Sequence, residues 1–250
     1  MPHTAIVRHP DKTFATGITA ANLGQPDYKR ALEQHHTYCA ALQQCGLQLI
    51  LLDVDERYPD GCFVEDTAIV TEELAILCRP GASSRRGEVD TVAKVLAEYR
   101  QLANIRPPGT VDGGDILRVD NHFYIGRSKR TNAEGARQLA GMLSECGYTS
   151  SEITVRSVLH LKTGVTYIGK NTFLSIDEFA GRFASGQVIR VEEEEAYAAN
   201  CLLVNGTVLA PAGFPEVKRQ IAELGYPVIE VELSEFRKMD GGLTCLSLVF

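Results

Sequence analysis

The chain has 250 residues, 44% of them hydrophobic, and 32 acidic against 25 basic side chains give a formal net charge of -7. That apolar content can build a full-sized core without disulfide or metal staples. The acidic balance argues against an electrostatic grip on nucleic-acid backbones or anionic lipid, and favours a cationic small ligand.

The opening "MPHTAIVRHPDKTF" has no basic start followed by an apolar run, and no later stretch approaches the ~20 apolar residues of a membrane helix. A cytoplasmic location is the expectation. The seven cysteines form no CxxC pair and stand near no histidine at zinc-finger spacing, so reduced thiols without a metal are expected. Cys39, Cys45, Cys62, Cys78, Cys146 and Cys201 read as buried fillers.

In chain order, "HTAIVRHP" reads as a strand, "PDYKRALEQHHTYCAALQQCG" as a long helix and "LQLILLDV" as a second strand. A hairpin follows in "AIVTEELAILCRPG" and a helix in "GEVDTVAKVLAEYR". The next hairpin is "DILRVDNHFYIGRS"; then Asn132 can cap a helix whose Ala133, Ala136, Leu139, Ala140 and Leu143 share one face. Beyond the extended "EITVRSV" come a third hairpin, "VTYIGKNTFLSID", a weak helix in "IDEFAGRF" and a strand in "QVIRVEE". The charge run "VEEEEAYAAN" reads as a solvated turn before the last hairpin, "CLLVNGTVLAPAG", the helix "FPEVKRQIAELG" and the strand "PVIEVEL". Asn205-Gly206 and Asp120-Asn121 are tight-turn signals inside these hairpins.

Hairpin, helix and strand thus recur at roughly 35 to 50 residues, the mark of stacked supersecondary units. Five helices imply five units. The first lacks half its hairpin and the final "LTCLSLVF" lacks a partner; pairing the two closes a ring. The expected fold is therefore α/β, a five-bladed propeller of ββαβ repeats around a central cavity, forming a single domain over 1–250. A mixed α/β sandwich without pseudo-symmetry is the alternative.

In such a ring the inner strand ends converge on the cavity. "YPDGCFVEDTAIV" would bring Asp60, Glu65 and Asp66 there, "VDGGDILRV" Asp112 and Asp115, "LHLKTG" His160, and "GGLTCLS" Cys245. Singly, each has an ordinary explanation: a turn, a core histidine, a small buried hydrophobe. Together they are the parts of a thiol nucleophile, its proton shuttle and an orienting acid, with further carboxylates suited to a delocalised cation. Arg85, Arg86 and Arg130 lie between hairpins and helices, where a loop can fold over the cavity mouth and clamp a carboxylate.

These motifs, with "RPGASSRRGEVD", "GRSKRTNAEGA", "AANCLLVNG" and "MDGGLTCLSL", resemble the dimethylarginine dimethylaminohydrolases, guanidino-modifying enzymes of the pentein fold. The resemblance runs from "ITAANLG" onward. It implies Cys245 as nucleophile, His160 as general acid and base, and Asp112 as the carboxylate orienting it. It implies Glu65 and Asp66 on or beside the guanidinium, Asp60 on the α-amino group, and Arg85 and Arg130 on the α-carboxylate. Main-chain carbonyls near Ile18, in a lid loop, and Met239 would complete amine recognition. Some family members carry Glu at the position of Asp112.

The implied reaction converts Nω,Nω-dimethyl- or Nω-monomethyl-L-arginine to L-citrulline and the amine through a cysteine thiouronium, without cofactor, in a monomer or homodimer. Two alternatives remain: a deiminase acting on unmethylated arginine, agmatine or another guanidine, and a non-enzymatic binding ring of the same fold. Arg85 and Arg130 favour an α-amino acid over agmatine. A thiolate beside His160 could capture zinc adventitiously.

Overall fold

The computed structural model describes residues 2–183 and 185–250. Five three-stranded sheets are arranged as blades. In every blade the middle strand is antiparallel to one neighbour, through a hairpin in four of the five, and parallel to the other, which requires a crossover connection.

The first blade carries β1 (Thr4–Arg8), α1 (Tyr28–Gln44) and β2 (Gln48–Leu52). The second carries β3 (Ala68–Val70), β4 (Leu74–Leu77), α2 (Val89–Leu96) and β5 (Gln101–Asn104). The third repeats this with β6 (Ile116–Val119), β7 (His122–Arg127), α3 (Ala133–Glu145) and β8 (Thr149–Thr154). The fourth has β9 (Val165–Tyr167), β10 (Thr172–Ser175) and β11 (Gln187–Arg190). The fifth has β12 (Leu202–Val204), β13 (Thr207–Pro211), α4 (Pro215–Glu223) and β14 (Val228–Val231), followed by a short α5 (Ser234–Arg237). β15 (Leu248–Val249) then returns to the first blade, Leu248 opposite Ile6 and Val249 opposite Ala5. That pairing closes the ring, as the two incomplete ends of the sequence require.

All four hairpins fall where the apolar runs place them, and Asn132 caps α3 by accepting the Gly135 N–H at 2.8 Å. Ala136, Leu139 and Leu143 of α3 are fully buried against Phe123 and Ile125 of its own blade. Each such leucine contributes about 2 kcal/mol of burial. β5, "QLAN", is the short extended segment after α2, as one follows each of the other helical stretches.

The fourth blade departs from expectation. No helix forms over "IDEFAGRF"; among the described residues the connection is a series of turns. Eight residues containing Gly181 are too few to offset helix nucleation. Instead Phe179 is fully buried and Phe183 stacks on Phe173 with ring centroids 4.1 Å apart, filling the place a helix would cover. The charge run also does more than solvate. It forms a 3-10 turn over Glu193–Ala199, and the Glu195 carboxylate accepts the N–H groups of Glu216 and Val217, capping α4.

The inner strands β3, β6, β9, β12 and β15 line a central channel of about 370 Å³. A 3-10 turn precedes each of them: Val64–Thr67, Gly113–Asp115, Leu161–Thr163, Glu193–Ala199 and Thr244–Leu246. Five turns, one per blade, therefore meet at one end of the axis, and the candidate chemistry sits on them.

Candidate active site

Cys245, His160, Asp66, Asp60, Arg85, Arg130, Ile18 and Met239 all line one cavity of about 30 Å³ at that end. His160 is not on a strand, as its flanking leucines suggest, but is the residue preceding the 3-10 turn at Leu161. Its Nε2 donates to Asp112 Oδ2 at 3.1 Å, and its Nδ1 lies 4.0 Å from Asp66 Oδ1. Asp112 is fully buried and its other oxygen accepts the Gly81 N–H at 2.7 Å, so the carboxylate cannot swing away from the ring. The Asp112 side chain is long enough to reach the imidazole.

Asp115, the second acid of "VDGGD", faces away from the cavity. It accepts from Ser128 and Thr131 hydroxyls and from the Leu161 N–H at 3.0 Å, fixing the turn that bears His160. Burial raises its carboxyl to about 6.

Two acids flank the cavity differently. Asp66 binds Arg85 Nη1 at 2.6 Å through Oδ2 and the Gly114 N–H at 2.9 Å through Oδ1. Glu65 does not line the cavity. Its carboxylate turns toward the central channel and is held by Lys162 Nζ at 2.5 Å and Thr244 Oγ1 at 2.8 Å. The resemblance implies Glu65 and Asp66 on or beside the guanidinium; of these two consecutive carboxylates Asp66 lines the cavity and Glu65 lines the channel behind it.

The arginines divide as well. Arg85 is buried, chelated by Glu88 and Asp66, with Nη2 also donating to the Phe63 carbonyl at 2.9 Å. Arg130 reaches the same cavity from the third blade, 3.9 Å from Asp112, and its buried Nη1 makes no hydrogen bond among the described residues. Arg86 donates to the Pro80 carbonyl, away from the cavity.

A strap over 17–20 covers the mouth. Asp60 accepts the Ile18 N–H at 3.0 Å, Thr19 Oγ1 donates to the Lys238 carbonyl at 2.9 Å, and Asp240 accepts the Ala20 N–H at 2.6 Å. A Cβ on Gly17 would collide with the Asp60 carboxylate, so the strap can lie this close only as glycine. Arg8, almost fully buried, anchors the Asp60 loop from below through the carbonyls of Asp53 and Gly61.

Electrostatics set the resting protonation. Burial, Glu65 and Asp66 push the Cys245 thiol up to about 12. Burial acts to lower His160, but Asp66, the Asp112 hydrogen bond and Asp115 outweigh it and raise the imidazole to about 9. Burial acts to raise Asp66, yet His160 and Arg85 bring it down to about 2. At neutral pH the site thus holds a neutral thiol and an imidazolium between carboxylates, an arrangement that a planar cation would complete.

Asp66, Asp112 and His160 have ligand atoms within 4.8 Å of one another, a spacing that could hold a metal ion. Arg85 and Arg130 already sit beside those carboxylates, and their positive charge opposes a divalent cation there.

The five-bladed ring with a thiol, an imidazole and acids on separate blades defines a pentein-type hydrolase. A family model described as N,N dimethylarginine dimethylhydrolase, eukaryotic, matches residues 21–209. The chain is 48% identical to an N(G),N(G)-dimethylarginine dimethylaminohydrolase of Pseudomonas aeruginosa over 98% of both proteins, and 34% identical to one of Streptomyces coelicolor over 98% of this chain and 95% of that one. It belongs to the dimethylarginine dimethylaminohydrolase family. A crystal structure of the Pseudomonas enzyme as a cysteine-to-serine variant complexed with citrulline superposes with a TM-score of 0.98 at 47% identity, covering 100% of both chains. A further solved structure, an adduct of a dimethylarginine dimethylaminohydrolase with S-methyl-L-thiocitrulline, gives the same score, identity and coverage. The N-terminal domain of ArgZ, an arginine dihydrolase, shares the fold at a TM-score of 0.88 and 20% identity.

Sequence reasoning missed Lys162, Thr244, Asn200 and Asp240. The first three form hydrogen bonds behind the cavity, and Asp240 holds the strap. The signal was present: each sits within two residues of a turn or glycine pair already singled out, "LHLKTG", "GGLTC", "AANC" and "MDGG".

Proposed function

We infer that the protein hydrolyses Nω,Nω-dimethyl-L-arginine and Nω-monomethyl-L-arginine to L-citrulline and the corresponding amine. The observation that carries this reading is the pairing of Cys245 and His160 across one small cavity that also presents Asp66 and the unbonded Arg130 Nη1. Near-half identity over essentially the whole length of a dimethylarginine dimethylaminohydrolase supports it.

With the strap closed, 30 Å³ holds about two waters, so substrate entry requires the strap to lift. The α-carboxylate would then take the free Arg130 Nη1, the α-amino group Asp60 with the carbonyls near Ile18 and Met239, and the guanidinium Asp66. The positive guanidinium offsets the carboxylates that hold the thiol neutral, and Cys245 ionises, its proton leaving to solvent. The thiolate adds to the guanidinium carbon. His160, oriented by Asp112, gives the proton on Nδ1 to the departing dimethylamine as the C–N bond breaks, leaving a thiouronium. Neutral His160 then takes a proton from water as the hydroxide adds to the same carbon. The C–S bond breaks and the thiolate returns. The balance is substrate cation plus water giving neutral citrulline and dimethylammonium.

Citrulline release is measured with dimethyl-, monomethyl- and unmethylated arginine. Preference for the methylated substrates is expected, and Cys245→Ser removes turnover. A clear preference for arginine would overturn the reading in favour of a deiminase, and no turnover of any guanidine by the wild-type protein would favour a binding ring.

A further inference from the structure

Four of the five 3-10 turns at the end of the axis border the cavity residues: the turn of Asp66, the turn beside Asp112, the turn after His160 and the turn of Cys245. The fifth blade gives that cavity no side chain from its turn. At its end, two residues before β12, stands Asn200, nearly fully buried. We propose that Asn200 is a positioning residue that fixes the Cys245 turn and the His160 turn relative to one another through a closed hydrogen-bond ring lying one layer behind the reacting groups.

The ring can be followed atom by atom. Asn200 Oδ1 accepts the Thr244 N–H at 3.1 Å. Its Nδ2 donates one hydrogen to the Lys162 carbonyl at 2.8 Å and the other to Thr244 Oγ1 at 3.0 Å. The Thr244 hydroxyl, having accepted there, donates its own hydrogen to Glu65 Oε2 at 2.8 Å. Glu65 Oε1 takes Lys162 Nζ at 2.5 Å, which returns the path to Lys162. Both amide hydrogens are used, and the oxygen is engaged, so the amide orientation is determined by its partners. Thr244 precedes Cys245, Lys162 lies two residues beyond His160, and Glu65 precedes Asp66. One carboxamide therefore ties together the turns of the nucleophile, the proton shuttle and the guanidinium carboxylate, which come from three other blades.

Two further features fit this role. A Cβ on Gly242 would lie 2.5 Å from Asn200 Oδ1, so the glycine lets the cysteine turn close down onto the amide. The Gly242 N–H in turn points at Cys245 Sγ at 3.4 Å, so a shift of this turn changes the aim of the sulfur as well as its height. An aspartate at 200 would put an oxygen against the Lys162 carbonyl and the Thr244 hydroxyl and add a negative charge near Glu65; an alanine would leave the Thr244 N–H and the Lys162 carbonyl buried without partners.

This inference rests on the methylarginine hydrolase reading and is tested so that the two fail separately. Steady-state kinetics with dimethylarginine are compared for wild type and Asn200→Ala, together with the rates at which Cys245 is alkylated by neutral iodoacetamide and by a cationic haloacetamidine. A misplacement on the ångström scale costs about 10²-fold in turnover. The expected result is that loss in kcat with KM within about threefold, and a cation-to-neutral alkylation ratio at least about tenfold below wild type. A general loosening of the fold would move both alkylation rates together and leave the ratio unchanged. That outcome, or wild-type kcat, overturns the proposal. Should Asn200→Ala not fold, Thr244→Val breaks the same ring without changing shape and must show the same pair of effects, with Thr244→Ser restoring kcat to within a few-fold; wild-type kinetics in Thr244→Val overturn it equally. A wild-type protein that gives no citrulline and alkylates with a ratio near one would instead sink the functional reading.

Discussion

At Cys245, geometry and charge pull in opposite directions. Cys245 and His160 line the same small cavity, yet burial, Glu65 and Asp66 hold the thiol at about 12 while His160 stays protonated to about 9. A thiolate is therefore scarce at pH 7 until a cation arrives. Alkylation by iodoacetamide should climb steadily with pH to beyond 10, whereas a haloacetamidine should react much faster at pH 7 and with a flatter profile. Parallel profiles for the two reagents would show that the cation does not assist ionisation. Asp66→Asn separates the roles of charge. Removing that carboxylate lowers the Cys245 thiol and also the His160 imidazole, since Asp66 raises both. Neutral alkylation at pH 8 should then speed up, while dimethylarginine turnover falls on the order of 10²-fold through lost guanidinium contact and a smaller protonated fraction of His160. A variant slower in both assays would contradict the electrostatic account of the thiol.

The strap over 17–20 is an element without regular structure, held at both sides of the mouth by carboxylates rather than by apolar packing; Ile18 itself is 42% exposed. Such a segment opens at small cost. Asp240→Ala removes the bond to the Ala20 N–H, so the strap should spend more time open. KM for dimethylarginine should rise roughly tenfold, with kcat within about threefold, because the reacting groups lie on other turns. Equal losses in kcat and kcat/KM would place Asp240 in the chemistry instead. What the sequence discloses at this scale follows from where periodicity is strong. The hairpins and α3 are legible because apolar runs, turn pairs and the Asn132 cap agree. The fourth blade misleads because Ile176, Phe179 and Phe183 imitate a helix face while serving as a plug. The split between Glu65 and Asp66, and the role of Asn200, depend on which way a turn residue points, and spacing along the chain carries no such information.

At the scale of the whole molecule the ring places His35 and His160 on different blades, and they bear on stability from opposite sides. His35 on α1 is completely buried among Tyr38 and Phe236, bonded at Nδ1 only to His9 and, at 3.5 Å, to Cys39, and burial with the nearby His9 and His36 lowers it from 6.5 to about 3. The folded state keeps it neutral while the unfolded chain protonates it below 6.5, so the unfolded state binds the extra proton and stability falls as pH drops from 6.5 toward 3. His160 has the opposite sign. Its imidazole is raised to about 9, so its contribution is complete below 6.5 and is lost as pH rises from there through 9. Urea unfolding at pH 4.5, 6.5 and 9.5 resolves the two limbs. Wild type should lose on the order of 2 kcal/mol from His35 alone between pH 6.5 and 4.5. His35→Phe should flatten that acid limb while leaving the alkaline one, and His160→Gln should do the reverse, since the sites lie on different blades and share no partner. If His35→Phe keeps the wild-type slope below pH 6.5, the buried imidazole is not the group that the acid limb reports. Asp66 cannot supply that loss, because a carboxyl that Arg85 and His160 hold down at about 2 is ionised in both the folded and the unfolded chain above about pH 4 and gives up its contribution only below that.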